Sequence, residues 1–237
     1  MKNKSGLVFF AAMILTGAPV ARSEEAVPPV RPITVTGQGY EIGSHRSKLL
    51  FTLERIFAAD RRSGHSTFKD LEGKVLVTEE MTYDASGNLT AYEVKHAQAG
   101  TQGKVESVGS ELVFTRDGKV EKEKLPPNWV VGPAIVPLLA SRWETVLQGE
   151  HIPVRLASWE RQETIGFELF KDRVEGDRIF VKMKPSNFLI SALVSPIYFE
   201  MPSDGRTVFS VVGRVLPKRQ DGSKLKDLDA EVVYQIK

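Results

Sequence analysis

The chain contains no cysteine at all. It therefore has no disulfide, no thiolate metal ligand, no cysteine nucleophile and no lipidated cysteine that would anchor it as a bacterial lipoprotein. A chain of 237 residues is long enough to be stabilised by a hydrophobic core without such links. We expect a fold that depends on packing and on backbone hydrogen bonds.

Histidine is scarce, and its spacing matches no common metal motif. The four histidines lie far apart in the sequence, and none belongs to an HExxH or similar pattern. Each is predicted to lie at the surface or in a turn. His151 carries the best functional hypothesis among them, because it opens a strand directly after Gly149 and a general base would suit that junction.

Other catalytic signatures are missing as well. There is no GxSxG, SxxK or P-loop sequence, and Gly37 and Gly39 lack the third glycine of a dinucleotide-binding loop, so we interpret them as a flexible lead-in to the sheet. Glu79 and Glu80 are neighbours on a predicted strand and point to opposite faces, so they cannot form a carboxylate dyad. No cofactor, metal site or catalytic residue is predicted.

Long apolar runs are absent except near the first residue. Lys2 and Lys4 precede the apolar residues 7–15, which is typical of a secretory signal peptide, and cleavage is expected after Ser23. The run is about half of the ~20 residues that a membrane-spanning helix needs. We expect a signal peptide over 1–23, a proline-rich leader over 24–32 and one β-rich domain over 33–237, exported to the periplasm and soluble after cleavage.

Charge argues against nucleic acid as a partner. The formal net charge is +2, but residues 1–23 hold three basic residues and no acid, so their removal leaves −1. A near-neutral protein lacks the basic surface that binds a phosphate backbone.

Most of the domain shows the two-residue alternation of an antiparallel sheet with one buried face. Residues 60–73 are interpreted as a long connection or a poorly formed hairpin, and 98–103 as a glycine-rich loop. The charged segment 119–124 is typical of an exposed edge strand. Strands are predicted at 48–59, 74–83, 89–96, 105–114, 119–124, 152–161, 164–171, 179–184, 197–201, 206–216 and 230–236.

Two helices are predicted within this series of strands. Apolar residues at helical spacing indicate one over 135–148, ended by Gly149, and Ser186 can cap a second over 187–194. Segments 49–57 and 208–213 do not alternate, so they either pack beneath the helices or line an apolar cavity. The predicted fold is mainly β, a curved antiparallel sheet or half-open barrel with two short helices on its concave side.

Aromatic residues concentrate in the second half of the domain, with basic residues around them. They form either an ordinary core flanked by basic side chains or an apolar pocket whose basic rim binds an amphiphile with an anionic head. The candidate ligand-binding residues are Trp143, Arg142, Arg155, Trp159, Arg161, Phe167, Lys182, Lys184 and Phe188.

Several short segments resemble an uncharacterised group of bacterial periplasmic proteins, a domain of unknown function with a curved antiparallel sheet. They are residues 143–149, the strand 152–156, residues 181–186 and the late strand around Gly213. In plan the chain is more distantly similar to lipoprotein carrier proteins, which wrap a half-barrel around helices and hold acyl chains. The resemblance implies a fold and transfers no catalytic residue.

Three functions follow in order of preference. We expect a non-enzymatic exported protein that binds a lipid-like ligand on the concave side of its sheet. The alternative is an envelope assembly or structural factor that contacts a protein partner through exposed strands. The third is a hydrolase that uses His151.

Overall fold

The computed structural model describes residues 31–187 and 194–236. In this part of the chain, fifteen strands join into one curved sheet, and a 3-10 turn and two short helices lie between the ninth and tenth strands. The helical elements are the turn Gly132–Ala134, α1 (Ile135–Ser141) and α2 (Trp143–Leu147). The strands are β1 (Ile33–Glu41), β2 (Leu49–Phe57), β3 (Ser63–Lys69), β4 (Val75–Tyr83), β5 (Leu89–His96), β6 (Thr101–Val108), β7 (Glu111–Arg116), β8 (Lys119–Lys124), β9 (Trp129–Val130), β10 (Ile152–Ser158), β11 (Glu163–Glu175), β12 (Arg178–Pro185), β13 (Ile197–Pro202), β14 (Ser210–Asp221) and β15 (Lys224–Ile236).

The order of strands in the sheet follows the chain almost throughout. Strands β1 to β8 run in sequence towards one edge, and β15 back to β9 run towards the other. The two halves meet where β1 pairs with β15, from Val35 opposite Ile236 to Glu41 opposite Ala230. Among the described strands, only the two-residue pairing of β9 with β10 is parallel. The predicted fold class, mainly β with an antiparallel curved sheet, is confirmed.

The two ends of the sheet approach each other without pairing. Gln162 Nε2 donates to Lys119 O at 3.0 Å, and the Thr164 N–H donates to Glu123 Oε2 at 3.2 Å. These bonds connect β8 to the β10–β11 hairpin through side chains, so the sheet forms a half-open barrel. Strand β8 lies at the edge of the sheet as predicted, and the carbonyl of its first residue, Lys119, accepts the bond from Gln162.

The helices pack on the concave side of the sheet. Ile135, Leu139, Trp143 and Val146 are buried in the same hydrophobic cluster as the inward-facing residues of the strands. The single helix predicted over 135–148 is wrong in one respect, because it breaks at Arg142, whose φ of −118° and ψ of 22° end α1 before α2 begins. The second predicted helix, 187–194, lies almost entirely outside the described residues.

Strands β1 and β3 and the two-residue β9 were not predicted, and the first two were missed for different reasons. Strand β3 occupies the segment interpreted as a connection, and its buried positions are Gly64, Ser66 and Phe68, so small residues hide the alternation. Strand β1 contains Gly37 and Gly39, which we had interpreted as a flexible lead-in. A Cβ on Gly39 would overlap the ring of Phe51, so this glycine makes room for a core aromatic rather than for flexibility.

Several boundaries also differ from the prediction. The proposed loop over 98–103 ends where β6 begins at Thr101, and the strand over 105–114 is a hairpin of β6 and β7 that turns at Gly109, whose φ is +60°. Strands β11 and β15 each extend over 13 residues, well beyond the predicted ranges. Their added residues are largely charged and exposed, so hydrophobic alternation does not detect them.

Candidate functional site

A cavity of about 500 Å³ lies between α1 and the concave face of the sheet. Its walls come from the strands at the junction of the two halves, β1, β2, β14 and β15, together with β3, β4, β13 and α1. Most of the lining is apolar, including Ile33, Val35, Phe57, Val136, Phe199 and Val211. Ligand pockets in proteins commonly have volumes of roughly 300–1,000 Å³ and mostly apolar walls, so the cavity has the size and character of a binding site.

The two segments that lacked alternation contribute to this cavity. Phe57 of β2 lines it. So do Val208, which precedes β14, and Val211, the second residue of that strand. The structure supports each of the two interpretations in part, because Phe51 and Leu53 of the first segment are buried in the core and do not line the cavity. Cover on both faces is not needed in β2, since Ile56 is 39% exposed.

A charged pair lies in the cavity wall among the apolar side chains. Arg55 on β2 donates from Nη2 to Glu79 Oε2 at 3.1 Å and from Nε to Ser66 Oγ at 2.8 Å. Tyr92 donates its hydroxyl to the other carboxylate oxygen, Glu79 Oε1, at 2.8 Å. The side chains of Arg55 and Glu79 are only 14% and 2% exposed. A buried charge needs such pairing, so these four residues form one connected network.

Two further tyrosines line the cavity near this pair. Burial raises the pKa of Tyr83 and of Tyr234 above the usual value, and in both cases the charge of Arg55 acts in the opposite direction while that of Glu79 adds to the shift. The Tyr83 hydroxyl is buried and has no hydrogen-bond partner among the described residues. Burial also raises the pKa of Tyr92 well above its ordinary range. All three phenols are therefore neutral hydrogen-bonding groups at physiological pH.

The outer part of the cavity is basic. Arg61, Arg206 and Arg214 belong to its lining and are exposed to solvent. Arg214 is paired with Asp227 and Asp229. Within residues 31–187 and 194–236, Arg61 and Arg206 form no ion pair, so two guanidinium groups at the rim carry uncompensated positive charge.

The predicted aromatic site residues lie in the core instead. Trp143, Trp159 and Phe167 are 7%, 5% and 4% exposed. The indole of Trp143 donates to Ser203 O at 2.8 Å and covers Gly205, and Trp159 packs on Gly103. Phe188 lies outside the described residues. The three described aromatics fill the barrel away from the cavity, as the core interpretation of the aromatic cluster expects.

The predicted basic residues lie on the outer surface. Lys182 and Lys184 alternate on β12 with the buried Val181 and Met183, so they point outward, where their ammonium groups lie over the rings of Tyr198 and Phe170. Arg155 donates to Thr164 across β10 and β11. Arg161 pairs with Glu163, and Arg142 is exposed between the helices. Among the described residues of the predicted set, none lines the cavity.

The histidines divide into exposed and buried cases. His96 is 1% exposed; its Nε2 donates to Leu216 O at 2.9 Å and its Nδ1 accepts from the Ala99 N–H at 3.3 Å. The prediction of a surface or turn position is wrong for this residue, which instead connects β5 to β14. His151 is half exposed, stacks on Phe170 and lies 3.1 Å from Glu168 Oε2. No hydroxyl among the described residues hydrogen-bonds to it.

Sequence reasoning missed Arg55 and Glu79, although a signal was available. Glu79 lies between the apolar Val77 and Met81 on one face of β4. Arg55 occupies the same kind of position between Leu53 and Phe57. A charged residue at an inward position of a strand indicates a buried polar network.

Comparisons with known proteins identify the fold only. No protein-family profile and no curated protein matches the chain. Among solved structures, the chain is similar to a crystal structure described as a beta-barrel-like protein of domain of unknown function DUF1849 from Brucella abortus. The TM-score is 0.52 and the identity 10%, over 87% of this chain and 96% of that one. This likeness bears out the part of the expected resemblance that concerns an uncharacterised β-sheet domain.

No three side chains of the metal-ligating types lie together in residues 31–187 and 194–236. In the same part of the chain, no helix has the length and apolar character needed to cross a membrane.

Proposed function

We propose that this protein is a non-enzymatic, exported binding protein that holds an amphiphilic, lipid-like ligand in the cavity beneath α1. The observation that carries the proposal is the cavity itself, which combines about 500 Å³ of volume with apolar walls and a small number of polar groups. Such a combination is the general character of small-molecule binding sites. The signal-peptide pattern of residues 1–23 supports a location in the periplasm.

The charge of the rim supports an anionic end on the ligand. An apolar chain lies against Val35, Phe57 and Val211, while a carboxylate or phosphate remains near Arg61 and Arg206 at the solvent-exposed side. Guanidinium groups favour such oxyanions because they offer several donors in a planar arrangement. The basic mouth expected from the sequence is thus retained in the proposal, with different residues.

The first test is occupancy of the cavity. The protein is purified gently from the periplasm, examined by native mass spectrometry and extracted with organic solvent, and the delipidated protein is titrated calorimetrically with stearic acid. We expect binding of one molecule per chain. The matched variants are Val211→Trp, which places an indole in the cavity, and Val212→Trp, the neighbouring position that faces the other side of β14.

The variants have opposite expected results. Val211→Trp abolishes binding of stearic acid, and Val212→Trp retains it. If stearic acid and extracted lipids fail to bind the wild-type protein, or if both variants bind equally well, the cavity is not the ligand site.

The second test concerns the rim. Arg61→Gln and Arg206→Gln each weaken stearic acid binding by about fivefold, which corresponds to roughly 1 kcal/mol for one solvent-screened charge pair. The uncharged stearyl alcohol is unaffected. Arg142→Gln, on an exposed arginine away from the cavity, is the control and changes neither affinity. Equal losses for acid and alcohol would show that the rim arginines do not recognise charge.

A further inference from the structure

Some polar groups in the cavity wall form hydrogen bonds with other described residues, and others do not. Both carboxylate oxygens of Glu79 already accept a hydrogen bond, one from Arg55 and one from Tyr92. Arg55 has five N–H donors, and the described residues accept only from Nε and Nη2. Its Nη1 therefore keeps both donors. Each carboxylate oxygen of Glu79 thus already has one partner, whereas Arg55 Nη1 donates to none of the described residues.

Two more donors belong to the same part of the cavity. Tyr83 and Tyr234 both line it, and the phenol of each feels the charges of Arg55 and Glu79. In residues 31–187 and 194–236, the buried Tyr83 hydroxyl has no hydrogen-bond partner, and neither has the Tyr234 hydroxyl. A buried hydroxyl without a partner is unfavourable by about 1–3 kcal/mol, so a ligand that supplies an acceptor gains from it.

The part of the cavity around Arg55 and Glu79 differs from the rim in its net charge. Arg55 and Glu79 neutralise each other, so the spare donors have no net positive charge behind them. A second carboxylate placed there would lie close to that of Glu79 and would be repelled. An uncharged oxygen, such as a ketone or ester carbonyl, accepts the same hydrogen bonds without that repulsion.

We propose that the ligand carries an uncharged carbonyl oxygen within its apolar body, and that this oxygen accepts hydrogen bonds from Tyr83, from Arg55 Nη1 and from Tyr234. The inference rests on the proposed function and refines it, because it separates two polar ends of the site. The anionic end of the ligand lies at the rim near Arg61 and Arg206, and the carbonyl lies inside the cavity. The donors make Tyr83 a specificity-determining residue.

The test compares two ligands that differ only in this carbonyl. Stearic acid and a mid-chain oxo-stearic acid are titrated calorimetrically into the delipidated full-length mature protein. We expect the wild-type protein to bind the oxo acid about tenfold more tightly, as hydrogen bonds to otherwise unpaired buried donors imply. In Tyr83→Phe the preference falls to about twofold or less. In Tyr40→Phe, whose hydroxyl donates to Gln38 on the exposed side of β1, the tenfold preference is retained.

Stability separates recognition from misfolding. Because the Tyr83 hydroxyl has no partner in the part of the chain that the structure describes, Tyr83→Phe is expected to leave the melting temperature of the ligand-free protein unchanged or raised. If Tyr83→Phe nevertheless unfolds, Tyr234→Phe provides the same comparison. Arg55 is unsuitable for this purpose, since its removal leaves Glu79 unpaired.

The outcomes are distinguishable from those of the proposed function. If neither fatty acid binds, the proposed function fails and this inference fails with it. If both acids bind the wild-type protein equally, or if Tyr83→Phe keeps the full preference for the oxo acid, the cavity binds lipid but the internal donors do not select a carbonyl, and this inference alone is wrong.

Discussion

Replacing Arg55 with Met tests the role of the buried charged pair in stability. The variant removes the two hydrogen bonds that Arg55 donates, and it leaves Glu79, with 2% exposure, as a carboxylate whose remaining partner is the Tyr92 hydroxyl. Removing one partner of a buried ion pair typically costs about 3–5 kcal/mol. A domain is stabilised by only about 5–15 kcal/mol in total, so the expected effect is a large fraction of the stability.

The assay is equilibrium urea unfolding at neutral pH, followed by circular dichroism and by tryptophan fluorescence. The matched control is Arg161→Met, because Arg161 forms an ion pair with Glu163 in which the side chains are 64% and 49% exposed. Exposed pairs contribute about 0–1 kcal/mol. We therefore expect Arg161→Met to shift the free energy of unfolding by less than about 1 kcal/mol.

A double variant separates the pair from its surroundings. Arg55→Met combined with Glu79→Met removes both charges, and its cost should be clearly below the sum of the two single costs. Full recovery is not expected, because the Tyr92 hydroxyl then loses its acceptor, which costs about 1–3 kcal/mol. The reasoning is refuted if Arg55→Met is no more destabilising than Arg161→Met, or if the two single effects simply add.

Two further predictions concern packing and pH. Gly39→Ala forces the ring of Phe51, which is 1% exposed, out of its place, and should cost about 1–3 kcal/mol in urea unfolding; a neutral result would contradict the close approach of ring and backbone. Burial raises the pKa of the phenols of Tyr83, Tyr92 and Tyr234 in the folded protein. The unfolded chain therefore loses these protons at a lower pH, and the free energy of unfolding falls as pH rises above about 10. A urea midpoint that stays constant from about pH 9 to pH 11 would contradict this account of Tyr83, Tyr92 and Tyr234.

Local sequence patterns predict a strand and its position correctly where the residues of that strand carry the signal themselves. The charged strand β8 was placed at the edge of the sheet, because side chains of that kind are tolerated only where one side of the strand faces solvent. Strand β3 was missed since its inward positions Gly64 and Ser66 are small or polar. Their burial depends on side chains of the adjacent strands, with Phe57 and Met81 close to Gly64 and Arg55 bonded to Ser66, and no local window contains that information.

The candidate site depended on contacts between distant segments. Arg55 and Glu79 meet because β2, β3 and β4 are adjacent and each presents one residue of the network to the interior. The aromatic cluster in the second half of the sequence led to the prediction of Trp143 and Trp159 as ligand-binding residues. Large aromatic side chains, however, are typical components of an ordinary core. The cavity lies elsewhere, where side chains of β1, β14 and β15 face α1.

The amino-acid sequence by itself determined a mainly β domain, the edge position of β8 and the helical region before β10. These follow from periodicity, turn residues and composition, which act over a few residues. Only the tertiary structure decided where the cavity lies and which charges it contains. The pairing of β1 with β15 brings together segments at the two ends of the domain, and the cavity is the space that packing leaves unfilled between these strands and α1.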